Sequence, residues 1–143
     1  MMKMTENFKI ISSFIKDMSS ETPNIQTYLF VRDNVSKYHL NIEISSKPLK
    51  DKIIEVSTTL KFSDKDGGEK RANFEITYAS IVKIDEEIKD KQSLQKILLC
   101  DVQNKIYPKL EKSFLTMLTD SGYPGIKFTK KIDFEKLYKD KFN

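Results

Sequence analysis

The segment Asn73-Phe-Glu-Ile-Thr-Tyr-Ala-Ser-Ile-Val-Lys-Ile84 and the later Ser93-Leu-Gln-Lys-Ile-Leu-Leu-Cys-Asp-Val102 hold the change of period that decides the fold. In the first, Phe74, Ile76, Tyr78 and Val82 follow Ala72 on one alternating set, with Asn73, Glu75, Thr77 and Lys83 on the other. That is a strand with one buried and one wet face. After Asp85-Glu86-Glu87 the spacing turns helical: Leu94, Ile97, Leu98 and Val102 share a side. Ile106, Leu110, Phe114, Met117 and Leu118 continue it, with Ser93 placed as the cap. Pro108 should kink or divide this run, and Gly122 with Pro124 should end it. A final short amphipathic helix follows, with Asp133 as its cap and Phe134, Leu137 and Tyr138 inward.

Working back from the first segment, Ile54, Val56, Thr58, Leu60 and Phe62 form the core face of a preceding strand, and Asp64-Lys65-Asp66-Gly67-Gly68 turns the chain between the two. Asp64 and Asp66 echo a calcium loop, but Gly68 stands at its fifth ligand position even though Glu75 falls at its twelfth. The flanks are also strand-like, so a hairpin turn is the better reading. Tyr38, Leu40, Ile42 and Ile44 alternate in an earlier strand, with Lys47-Pro48 as its turn. His39 points outward there, as a solvated histidine. The stretch from Pro23-Asn24 through Tyr28, Phe30 and Asp33-Asn34 reads as irregular. From Phe8 to Met18 both alternating sets are apolar: Phe8, Ile10 and Phe14 on one, Ile11 and Ile15 on the other. A strand apolar on both faces expects cover on both, and a second subunit would supply it. The order is α+β: a four-stranded antiparallel sheet covered by a short and a long C-terminal helix. One domain spans residues 1–143, with 1–7 and 139–143 as flexible ends.

Composition removes most chemistry. One His, one Cys and no Trp leave no zinc set of His and Cys within one chain and no disulfide. No glycine-rich phosphate loop or nucleophile motif occurs, so no enzyme, cofactor or metal site is expected. Met1 to Thr5 shows no apolar signal core, no 18-residue apolar run is present, and the lone Cys100 suits a reducing compartment, so a cytoplasmic protein is expected. The net charge is +4, and +3 of it lies in residues 127–143, where six Lys face three acids. Only Arg32 and Arg71 among 25 cations are arginine, a poor set for reading nucleic acid. What remains is surplus apolar surface, kept for oligomerisation or for binding apolar chains. Tyr28 and Phe30, then Tyr107, Phe114 and Met117, then Tyr123 and Phe128 are the residues placed to line such a groove. Phe8, Ile11, Phe14 and Ile15 of the first strand, with Phe74, Ile76 and Tyr78, are placed at an oligomer interface.

Five pieces, in order, resemble the bacterial export chaperone family SecB. Phe14-Ile-Lys-Asp-Met-Ser-Ser-Glu-Thr-Pro-Asn24 is similar to its N-terminal signature, with Ser20 in place of a Phe. Asn73 to Ile84 is similar to its fourth strand, Ile106-Tyr107-Pro108 to its aromatic-Pro step, and Gly122-Tyr-Pro124 to its glycine-aromatic-Pro loop. Ile132-Asp-Phe-Glu-Lys-Leu-Tyr138 is similar to its terminal motif. The departures are Val102-Gln103 where the family has Cys-Pro, Asn73 where it has Leu, and a Lys-rich segment where many members are acidic. The resemblance implies an ATP-independent chaperone that forms a dimer of dimers. Such a chaperone holds unfolded precursor proteins and passes them to the motor SecA, meeting the membrane only through it. It places SecA docking on Asp17, Glu21 and Glu75. The rival readings are a SecB-like chaperone dedicated to one partner such as an antitoxin, and, more distantly, a basic nucleic-acid-binding module.

Overall fold

Strict alternation makes β3 (Ile53–Ser63) the middle of the molecule, with Ile54, Val56, Thr58, Leu60 and Phe62 all buried. The computed structural model describes residues 7–64, 71–128 and 131–142. Lys65 to Gly68 of the expected hairpin turn, and residues 1–6 and 143 of the expected flexible ends, lie outside the described residues. β3 pairs antiparallel with β2 (His39–Pro48) on one side and with β4 (Asn73–Ile84) on the other. β1 (Phe8–Glu21) adds antiparallel outside β4, so the sheet order is β1-β4-β3-β2. The expected α+β class and four-stranded antiparallel sheet are present.

One face of this sheet carries a helical run built from α2 (Lys91–Lys96), a π-helical turn at Ile97–Asp101 and α3 (Val102–Asp120). Ile106, Leu110, Phe114, Met117 and Leu118 are buried on it, as the spacing predicts. Each such side chain is worth about 1.5–3 kcal/mol over leaving it exposed. Two local expectations need correction. The cap of α2 is Asp90, whose carboxylate accepts the Ser93 amide at 2.9 Å, so Ser93 is the amide donor. That bond holds the Asp90 pKa below its ordinary value. Pro108 interrupts nothing. It sits on the exposed side of α3, which runs on through it from Val102 to Asp120, and the irregularity is the π turn upstream. The turn is followed by the fully buried Gln103, whose Nε2 donates to the Leu98 carbonyl at 3.3 Å. Its Oε1 accepts from Thr58 Oγ1 at 2.9 Å, which fastens the helix to the one polar residue on the β3 core face. α4 (Phe134–Phe142) closes over the π turn, so Ile97, Leu98, Leu99 and Cys100 are all buried.

The other corrections lie in the first half. Tyr28 and Phe30 belong to a helix, α1 (Ile25–Asn34), and not to an irregular stretch. Asn24 caps it by accepting the Thr27 amide at 2.8 Å, and only Thr27 and Val31 are buried, one turn apart. A helix that buries two residues has no apolar stripe to announce it. The β2–β3 turn falls at Leu49–Lys52, just past Lys47-Pro48, with Asp51 and Lys52 at φ 54° and 61°. This left-handed backbone is sparsely populated by such residues. Here it aims the Lys52 ammonium at the Glu86 and Ile88 carbonyls, 2.9 and 2.8 Å away.

β1 breaks the parity that the sequence suggests. Phe8 and Ile10 face the helices opposite Ile84 and Val82, but the ladder carries irregularities at Ile11 and at Lys16. Each extra residue flips the faces that follow. Phe14 therefore sits opposite Ala79 on the helix-free face and Ile15 opposite Tyr78 on the helix side, the reverse of strict alternation.

Candidate functional site: an aromatic run, an open groove and an acidic strand face

Tyr28, Tyr123, Phe128 and Phe114, four of the residues expected to line one groove, are joined through the core. Tyr28 lies 5.3 Å from Tyr123 between ring centres, and Tyr123 packs edge-on against Phe74 at 5.3 Å. Phe74 continues to Phe62 at 6.3 Å, Phe62 to Phe128 at 5.5 Å, and Phe128 stacks on Phe114 at 6.1 Å. Tyr107 stands apart with Phe134, at 5.5 Å. Burial grades the set. Phe114 is fully buried, Tyr123 and Met117 are buried, and Tyr28, Phe30, Tyr107 and Phe128 are half-buried. Phe114 and Tyr123 thus act as the floor beneath the half-buried rings.

Polar tips fix the run where α1 meets the end of α3. The Tyr28 hydroxyl donates to the Gly122 carbonyl at 2.9 Å, and the Tyr123 hydroxyl pairs with Thr22 Oγ1 at 3.0 Å. Burial raises the pKa of Tyr123 and of Tyr107, which keeps both hydroxyls neutral. Gly122 has φ 103°, and a Cβ there would come within 2.8 Å of Tyr28 Cε1. Only glycine allows both that backbone and that approach.

An opening of about 1350 Å³ lies between β2 and residues within 125–128 and 131–140. Leu40, Ile42 and Phe62 line one wall, and Ile126, Phe128, Ile132 and Leu137 the other. Phe128 alone among the seven expected groove residues lines it. Leu137, expected inward on α4, is 40% exposed and faces this opening. Sequence reasoning missed Leu40 and Ile42 because they looked like the ordinary buried half of an alternating strand.

The helix-free face of the sheet carries the acids. Asp17 pairs with Thr77, Ser19 with Glu75 and Glu21 with Asn73, so Asp17, Glu21 and Glu75 share that face on two adjacent strands. The irregularity at Lys16 turns Asp17 to this side. Asp17 and Glu21 are exposed and Glu75 half-buried, with the Lys61 ammonium 3.9 Å from Glu75 and 3.6 Å from Glu43. Lys16 itself reaches Glu55 at 2.8 Å and lowers the Glu55 pKa. Of the expected interface residues, Phe8, Phe74, Ile76 and Tyr78 are buried within the chain, whereas Ile11, Phe14 and Ile15 are 44–50% exposed, with Met18 beside them at 50%.

The described residues form a sheet-and-helix domain with a groove partly walled by apolar side chains, and they hold no metal-binding cluster. A family model described as preprotein translocase subunit SecB matches residues 2–143, and the chain belongs to that family. A relative from Pelagibacter ubique, named for SecB protein export, is 66% identical over 140 residues, covering 98% of this chain and 100% of the relative. The protein-export protein SecB of Bradyrhizobium sp. is 22% identical over 130 residues, covering 91% and 78%. In fold, the chain is similar to a SecB-like chaperone of Mycobacterium tuberculosis solved with a peptide from an antitoxin. The TM-score is 0.66 at 10% identity, with 88% of each chain covered. The chain is accordingly a chaperone of protein export, in a family that binds precursor proteins and is not a family of enzymes. No helix among the described residues is long and apolar enough to cross a membrane.

Proposed function

We propose that this chaperone works in the cytoplasm as a dimer of dimers, without nucleotide chemistry, holding unfolded precursors in the groove between β2 and the C-terminal segment and delivering them to SecA. The observation that carries the reading is that groove: about 1350 Å³, with Leu40, Ile42, Ile126, Phe128, Ile132 and Leu137 in its walls, in a chain of the SecB family. Holding follows from linkage, because a protein that binds unfolded chains and not folded ones lowers the free-chain concentration and slows folding. Ordering the client offsets most of the gain from burying its apolar surface, so affinity is modest and broad. The half-buried Tyr28 and Phe30 of α1 and Tyr107 of α3 extend the client path beyond Phe128, over the floor of Phe114, Met117 and Tyr123. Leu137→Asp removes an exposed wall residue without touching the core. It should weaken capture of an unfolded precursor about tenfold, measured as a shortened delay in the precursor's refolding. An unchanged delay would move the client path elsewhere.

Docking to SecA is assigned to Asp17, Glu21 and Glu75, which the β1–β4 register gathers on one sheet face away from the groove. Exposed charge pairs are individually weak, so this site acts through several together. Reversing Glu21 and Glu75 to Lys should leave capture intact and weaken SecA binding roughly tenfold at low salt, with the difference shrinking as salt screens it. Titration of the double variant against SecA at two ionic strengths decides it, and equal affinities would take docking off this face.

A further inference from the structure

The groove is apolar inside and cationic at its rim. Lys127, Lys131 and Lys136 line it and are exposed, while the opposite wall offers His39, Asn41 and Ser36 and no carboxylate. Asp133 and Asp140 also line it, and Asp133 is engaged at the start of α4, where its carboxylate accepts the Lys136 amide at 3.1 Å. An acid at a helix N-terminus is partly neutralised by the helix dipole. The wider segment 127–143 has six Lys against three acids, which is +3, whereas residues 1–126 are nearly balanced at 19 basic and 18 acidic. Of those six lysines, Lys127, Lys131 and Lys136 line the groove, against Asp133 and Asp140 on the same wall.

We infer that this groove selects among unfolded chains for apolar segments flanked by Asp or Glu. This rests on the groove being the client site and adds the class of client it takes. The apolar walls of Phe128, Ile132, Leu137 and Leu40 accept the hydrophobic stretch, and the lysine stems extend that surface while their ammonium groups meet the flanking acids in water. Charge complementarity of this kind sets preference and association rate more than total affinity. A polyanion such as single-stranded nucleic acid fits less well. The groove lining has no arginine, and of its aromatic rings Tyr38 and Phe62 are buried, which leaves Phe128 and the imidazole of His39. Such binders stack successive bases on exposed rings.

The test uses two labelled peptides with one shared apolar core, flanked by Glu in one and by Lys in the other. Both are titrated against the full chain by fluorescence anisotropy at low salt and at about 0.5 M salt, where exposed charges are screened. The Glu-flanked peptide should bind about five- to tenfold tighter at low salt, from a few weak pairs acting together. The two should converge at high salt, both still bound through the core. In K127E/K131E/K136E the low-salt preference should reverse. Equal binding of the two peptides at low salt, or a preference unchanged in the triple variant, overturns the selectivity and leaves the groove as a client site. Failure of either peptide to bind at any salt overturns the client site itself, and the selectivity with it. A single-stranded oligonucleotide is the competitor: displacing the Glu-flanked peptide at comparable concentration would assign the rim to nucleic acid and overturn the inference.

Discussion

Phe114→Ala lowers the stability of the folded chain by about 3–5 kcal/mol, the usual cost of removing a buried ring. The residue is fully buried on α3, and Phe128 stacks on it at 6.1 Å between ring centres. Its loss leaves a cavity beneath the groove wall as well as in the core. Domains of this size are stable by only about 5–15 kcal/mol, so the loss is a large share of the total. Thermal unfolding should shift down by roughly 10–20 °C. At a temperature where the variant remains folded, client capture should also weaken, because Phe128 has lost its support. The control is Leu29→Ala on α1, 42% exposed, which should change stability within about 0.5 kcal/mol. A Phe114→Ala variant as stable as wild type would mean that the floor of the groove is not where the fold places it.

That contrast shows what the sequence could and could not disclose. Phe114 belongs to a stripe of five apolar residues at helical spacing, so its burial is legible from periodicity alone, and so is the alternation of β3 and β4. The class, the antiparallel sheet and the long helix follow from those three segments. Three features were not legible, each for a physical reason. α1 buries only Thr27 and Val31, so its packing leaves no periodic trace. The irregularities of β1 insert single residues, and one residue is enough to exchange the faces without altering composition. The π turn is closed by the Val102 amide on the Ile97 carbonyl, which no side-chain periodicity announces, and Gln103 becomes informative only once Leu98 is seen opposite it. The candidate site divides the same way. Its acids were placed by resemblance, and the ladder register then put all three on one face. Its aromatic residues were chosen for size, which marks both a floor and a wall, and only burial separates Phe114 from Phe128.

Ile11→Asp should split the assembly while leaving the chain folded. Ile11 is the extra residue at the first irregularity of β1, an edge strand, and it is 50% exposed with Phe14 and Ile15 close by at 47% and 44%. An edge strand with apolar side chains on both faces and an unpaired row of backbone groups invites a second copy. The exposure of Ile11 within its own chain means that Asp there costs the isolated fold little, within about 0.5 kcal/mol. In a two-fold interface the same substitution enters twice, once from each copy. Each carboxylate then loses water for an apolar neighbour, at a cost of several kcal/mol per charge. Wild type should show four times the 16.7 kDa chain mass by light scattering at micromolar concentration, and the variant one or two times, with an unchanged circular dichroism spectrum. Tyr78→Asp cannot serve the same purpose. Tyr78 is 4% exposed and faces the helices, so a carboxylate there unfolds the chain whether or not it assembles. A wild-type mass near 16.7 kDa would remove the assembly. A tetrameric Ile11→Asp variant would move its interface off β1, to the exposed side of α3 around Pro108 and Leu115, where a further hollow lies.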